Sequence, residues 1–200
     1  MPARTPTKRL TPEARRDQLA AVAMEVTAEQ GFAGLTLDEV ARRAGVTRAA
    51  PYRYFPRGKP DLFVAAVELA GSTLTGGMLT DADVPLEERF AGNVGRFIGH
   101  ALEPSHAWLV HRHARSSGVE EIDEIGRRYR GLIISAISQN HFGTPNPPPY
   151  GLLAIRSWLD FAETALDECR ERRLDRDAVL ELLGRTLFDA VDTARGLDAR

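Results

Sequence analysis

Apolar residues recur along this chain at the three- and four-residue spacing of amphipathic helices, and alternating β-branched runs of strand length are absent. The pattern predicts an all-α protein of about nine helices. Leu19, Val22, Ala23 and Val26 form the first apolar stripe. Thr11 and Pro12 precede it as N-cap and first helical residue, and Gly31 ends it. Residues 36–39 (TLDE) read as a capping box, Thr36 and Glu39 each satisfying the other's backbone amide. Leu37, Val40, Ala41 and Ala44 make a second stripe, which Gly45 cuts after about two turns. Thr47 is placed to cap a third helix at once, leaving Gly45 and Val46 as the whole turn. That third helix runs from Thr47 to about Phe55 and stops near Pro56, Arg57 and Gly58.

Further helices are predicted at roughly 60–75, 85–103, 105–117, 119–141, 150–173 and 175–196. Gly76, Pro85, Pro104, Gly118 and the pair Leu174–Asp175 separate them, and Asp81, Asp83 and Asp175 are suited to start helices. The stretch 143–149 (GTPNPPP) is too rich in proline for a helix and reads as an extended loop. Gly92, Gly95, Gly99, Gly126 and Gly131 fall inside predicted helices, where each costs about 1 kcal/mol relative to alanine when exposed. They allow either close packing or room for a ligand. The resulting organisation is a flexible basic arm (1–10), a front unit (11–70) whose second and third helices span about 35–54, and a larger body (71–200).

Composition narrows the classes. Of 200 residues, 43% are hydrophobic and 27% charged, which excludes a wholly disordered chain. The single cysteine, Cys169, excludes an internal disulfide framework and any zinc site built on several thiolates. No apolar run approaches the roughly 18 residues of a membrane span, and no secretory h-region is visible near the start, so the expectation is a cytoplasmic protein without a membrane partner. Residues 1–60 carry 11 Lys/Arg against 6 Asp/Glu, whereas the rest is acidic, so the front is suited to a polyanion.

Three short helices, the second and third joined by a glycine turn, are the helix-turn-helix pattern. A DNA major groove admits one α-helix, and the segment after the turn, 47–55 (TRAAPYRYF), offers hydroxyls, guanidiniums and aromatic rings rather than an apolar face. Residues 35–47 (LTLDEVARRAGVT), the run 52–56 (YRYFP), Gly58, Lys59, Leu62 and Phe63 together resemble the TetR (tetracycline-repressor) family of bacterial transcription regulators. The resemblance is strong over about residues 12–70.

The resemblance implies an N-terminal helix-turn-helix domain, a helical ligand-binding body and a homodimer formed through the last two helices. Its partner is a double-stranded DNA operator of pseudo-palindromic sequence, from which an unknown small-molecule effector releases the protein as a repressor. Residue by residue, it places Thr47, Tyr52 and Lys59 against the phosphate backbone and Arg48, Ala49 and Arg53 as base readers, and adds Thr36 and Tyr54, which stands where the family often has histidine, to the DNA-binding set. Pro51 departs from the family, which usually has leucine there; as fourth helical residue it forfeits one backbone bond and removes a buried aliphatic side chain.

In the body, Phe97, His100, Trp108, His111, Tyr129 and Trp158 are candidate ligand contacts, since aromatic rings with a few polar groups line small-molecule pockets and helical cores alike. His106 and His113 share a helix face but sit about two turns apart, too far for a two-ligand clamp, so no metal is expected. No cofactor fingerprint or nucleophile motif is present, and the chain reads as a non-enzyme. The alternative function is a helical small-molecule-binding protein with no DNA role.

Overall fold

The Thr11 hydroxyl accepts the Ala14 amide at 3.2 Å and Pro12 follows as first helical residue, so α1 (Pro12–Gly34) begins where its stripe predicts. The computed structural model describes residues 10–76, 84–102 and 105–200; within them every regular element is a helix. After α1 come α2 (Leu37–Arg43), α3 (Ala50–Tyr54), α4 (Lys59–Thr75), α5 (Leu86–Leu102), α6 (His106–Arg115), α7 (Glu120–Phe142), α8 (Pro149–Arg172) and α9 (Arg176–Asp198). The arm residues Arg4, Lys8 and Arg9, and the helix-start candidates Asp81 and Asp83, lie outside the described residues. Asp175 does cap α9, accepting the Ala178 amide at 2.8 Å.

Two local expectations are corrected. The capping box at α2 is half made: Thr36 accepts the Glu39 amide at 3.2 Å, but the Glu39 carboxylate turns to Arg42 and Arg43, each at 2.7 Å. Two guanidiniums outbid one backbone amide for the same oxygens. The third helix starts three residues late, at Ala50, with Ala49 as its N-cap and no side-chain cap from Thr47. Pro51 thereby occupies the first turn, where its missing N–H would have had no helical partner. It forfeits no bond, and its ring is itself buried, filling the apolar site expected to be emptied.

Packing joins the front to the body. α4 lies against α1, α6 and α7; α1 also packs on α2 and α6; α8 and α9 pair, with α5 across both. Leu19, Val26, Leu35, Phe55 and Leu62 from the front and Trp108, Ile155, Leu166 and Leu187 from the body are all buried in one continuous cluster. The boundary expected after residue 70 falls inside α4.

The helical glycines divide differently from the expectation. A Cβ at Gly92, Gly95, Gly99, Gly126 or Gly131 would meet nothing within 4 Å, so none of the five serves close packing. Gly71 does: a Cβ there would stand 2.3 Å from the Tyr129 ring. Gly131→Ala is expected to raise unfolding stability by up to about 1 kcal/mol through helix propensity. Gly71→Ala is expected to lower it by about 1–3 kcal/mol through overpacking. Urea unfolding of the two variants measures both.

Candidate nucleic-acid interface and the cavity of the body

The turn between α2 and α3 follows from its hydrogen bonds. The Val46 amide donates to the Ala41 carbonyl at 3.0 Å and the Gly45 amide to Arg42 at 3.3 Å, a Schellman closure of α2. It requires a left-handed residue, and Gly45 takes φ 66°. Val46 packs against the core, and Thr47, Arg48 and Ala49 then run over the surface into α3. On α3, Pro51 and Phe55 point inward and Tyr54 is half-buried against the core, with the Arg16 guanidinium 5.4 Å from the Phe55 ring centre. Tyr52 is 56% exposed and Arg53 exposed beside it. Arg48 and Ala49 thus stand on the turn before α3 rather than in its first helical turn.

Charges around this surface are unevenly available. Arg43 bridges Glu29 and Glu39, both at 2.7 Å, and Arg42 joins Glu39, whose carboxyl these two arginines hold at about 2. Arg48 forms a two-pronged pair with Asp38 of α2, its Nε 2.8 Å from one oxygen. The guanidinium lowers the Asp38 pKa. Lys59 turns back, donating to the Ala33 carbonyl at 3.1 Å with its ammonium 4.3 Å above the Phe32 ring. Among the described residues no carboxylate lies within ion-pair distance of Arg53. The exposed Thr36 hydroxyl sits at the start of α2. The sequence reading missed Asp38 as the partner of Arg48, because the pair spans ten residues and two elements.

Between α4, α6 and α7 lies a cavity of about 310 Å³, closed on the far side by Phe97 of α5 and Leu159 and Glu163 of α8. Of the six candidate ligand contacts, Phe97, His111 and Tyr129 line it. Trp158 lines a separate space of about 50 Å³ among α5, α7, α8 and α9, which also touches Phe97. Trp108 lines neither; it is buried behind the wall, its ring 5.3 Å from Phe97 and 5.6 Å from His111. His100 lines neither as well.

Polar chemistry in the cavity gathers on Glu163, a 12% exposed carboxylate that takes Arg115 and, at 3.4 Å, Arg130. In the sequence Glu163 shows only as a polar position in an apolar helix, and its two arginines come from other helices. The Tyr129 hydroxyl donates to Glu68 of α4, its ring resting on Gly71, and burial raises its pKa. Burial pushes the His111 imidazole down to about 4, helped by Arg115 and Arg130. Glu163 stands 3.8 Å from it but is already held by those same arginines.

That depression makes folding sensitive to acid. The unfolded imidazole binds its proton near 6.5 and the folded one near 4, so the unfolded state gains protons first as pH falls. Stability is expected to fall as pH is lowered from 6.5 toward 4, with His141, also lowered by burial, adding in the same direction. Urea midpoints of wild type and His111→Phe across that range should converge or cross on acidification, the variant's slope being shallower.

Residues 19–66 match the family described as bacterial regulatory proteins, tetR family. A tetR-family transcriptional regulator from Streptomyces coelicolor shares 24% identity and superposes with a TM-score of 0.76, covering 95% of this chain and 84% of its own. A TetR-like regulator from Rhodococcus sp. RHA1 gives 19% identity and a TM-score of 0.66 over 96% of this chain and all of the other. The FadR regulator of Bacillus subtilis, solved in complex with stearoyl-CoA, gives 20% and 0.65 over 87% and 96%. No curated protein matches the sequence. Among the described residues no helix is long and apolar enough to cross a membrane. Residues 19–66 thus match the N-terminal unit of bacterial regulatory proteins of the tetR family, and the chain as a whole shares the fold of the regulators on which it superposes.

Proposed function

We propose that the protein is a sequence-specific DNA-binding transcriptional repressor that works as a homodimer in the cytoplasm and leaves its operator when a small molecule enters the body. The observation that carries this reading is the split of the segment after Gly45. Thr47, Arg48, Ala49, Tyr52 and Arg53 are exposed together, while Pro51, Tyr54 and Phe55 are held against the core. A helix so anchored fits a major groove with its outer side chains toward base edges and its flanks toward phosphates. Arg53, unpaired among the described residues, is the primary base reader. Thr36, Thr47 and Tyr52 supply hydroxyls to phosphates, and Lys59 exchanges the Ala33 carbonyl for one. The protein acts by binding and needs no cofactor.

Exposed Leu153 and Phe161 on α8 and Leu182 on α9 support a dimer through these two helices. A two-fold pair would set two copies of α3 into successive major grooves, about 34–36 Å apart. The stearoyl-CoA held by the Bacillus subtilis relative supports the body as a ligand-binding unit. In this chain α4 and α7 form facing walls of the larger cavity. Arg57, just beyond α3, grips Glu121 of α7 through two bonds of 3.0 and 2.9 Å. A molecule that wedges α4 from α7 therefore loads the front directly. It releases DNA only to the extent that it binds the displaced arrangement more tightly.

Selection of bound duplexes from random DNA should return a two-fold symmetric consensus; absence of any enriched sequence would sink the regulator reading and favour a plain small-molecule binder. On that consensus, anisotropy titrations should show Arg53→Ala losing about 1–3 kcal/mol and relaxing preference at one base position. Tyr52→Phe should weaken all duplexes alike. Asp38→Ala frees Arg48, so affinity should rise and the log–log salt slope should steepen by about one.

A further inference from the structure

The effector's chemical class can be read from the charges lining the larger cavity, an inference that rests on the cavity being the effector site. We propose that it takes a small, uncharged, mainly apolar molecule carrying one hydroxyl or comparable hydrogen-bonding group, which bonds to the His111 imidazole. Three observations converge on this.

First, the charges of the wall are already paired, save the Asp123 carboxylate in the field of Arg127. Glu163 takes Arg115 and Arg130, and Arg130 reaches Asp160 at 2.7 Å and the Arg156 carbonyl at 3.1 Å as well. Arg127 at the rim pairs with Glu120 at 2.7 Å, and Asp123 adds to the field on that same guanidinium. An anionic ligand would have to take one of the two arginines from Glu163 and leave a nearly buried carboxylate half as well held. A cationic one would enter among three guanidiniums. Both lose more by desolvation than they recover.

Second, one uncharged polar side chain on the wall is unused among the described residues. Among the described residues no group exchanges a hydrogen bond with the His111 ring, while the Tyr129 hydroxyl is spent on Glu68 and the Thr75 hydroxyl on the Gly71 carbonyl. Burial and the adjacent arginines keep the imidazole neutral, so it presents one N–H donor and one lone pair, the complement of a hydroxyl.

Third, the remaining wall is apolar, with Val67, Leu74, Phe97, Ile122, Ile125 and Leu159 facing the space. A volume of about 310 Å³ equals the liquid volume of about ten water molecules at ~30 Å³ each, room for a small organic molecule.

Trp108, which meets Phe97 edge-on and His111 at a tilt, reports occupancy through its fluorescence. The full-length protein is titrated with three para-propylbenzenes that differ in their polar group: para-propylphenol, para-propylbenzoate and para-propylbenzylammonium. The phenol should give a saturable change, with both ions binding at least about tenfold more weakly. His111→Phe should weaken the phenol by about tenfold while retaining a cooperative thermal transition. Gly126→Leu, whose added side chain enters open space at the wall, should abolish the change with the fold likewise retained. Tighter binding of the benzoate or the ammonium, unchanged phenol binding in His111→Phe, or no saturable signal from any probe overturns the assignment. Operator binding is measured separately: phenol that binds without loosening DNA would leave the ligand class standing and count against the regulatory reading alone.

Discussion

Burial of α4 on two sides is the constraint from which the rest of the molecule follows. Its residues Leu62, Ala66 and Ala70 are almost wholly removed from solvent, and α1, α6 and α7 all lean on it. The small side chains at 65, 66 and 70 let neighbouring helices come close, and Gly71 admits the Tyr129 ring where any side chain would collide. Each buried apolar side chain is worth about 1.5–3 kcal/mol, so separating front from body would expose a costly seam. One helix therefore belongs to both units, and a packed interior passes displacement on rather than absorbing it.

The front spends half of its described cations on its own carboxylates. Arg42, Arg43 and Arg48 are matched by Glu39, Glu29 and Asp38, and Arg57 by Asp61 and Glu121. Exposed pairs of this kind contribute little stability, about 0–1 kcal/mol each. Their effect is on direction: they hold guanidiniums in place and decide which cation is left for an anionic partner. The basic excess of the front thus overstates what its described surface offers. Three of its eleven cations are on the arm, and four more are paired.

The cavity shows the same economy in the body. Glu163 is tolerated at low exposure because guanidiniums from α6 and α7 reach it, and the imidazole beside it stays neutral for the same reason. As the proposed effector site it would select by penalty, since what enters must leave the existing pairs intact.

Periodicity and punctuation were enough to place every helix within a few residues, because the 3.6-residue repeat, Thr11, Thr36 and Asp175 at helix starts and Gly45 at a turn act over one or two turns of chain. The motif from Leu35 to Phe63 was legible for that reason too. Contacts between elements were not. The late start of α3 at Ala50, the burial of Pro51, the grip of Asp38 on Arg48 and the pairing of Glu163 with Arg115 and Arg130 depend on which surfaces meet. Of six candidate aromatic and histidine positions, three line the larger cavity, because a ring on an apolar stripe is directed inward by its helix while only the neighbouring helices decide whether space or another side chain awaits it. Local order was written in the chain; the empty volume and the distribution of charge around it arose only when the helices packed.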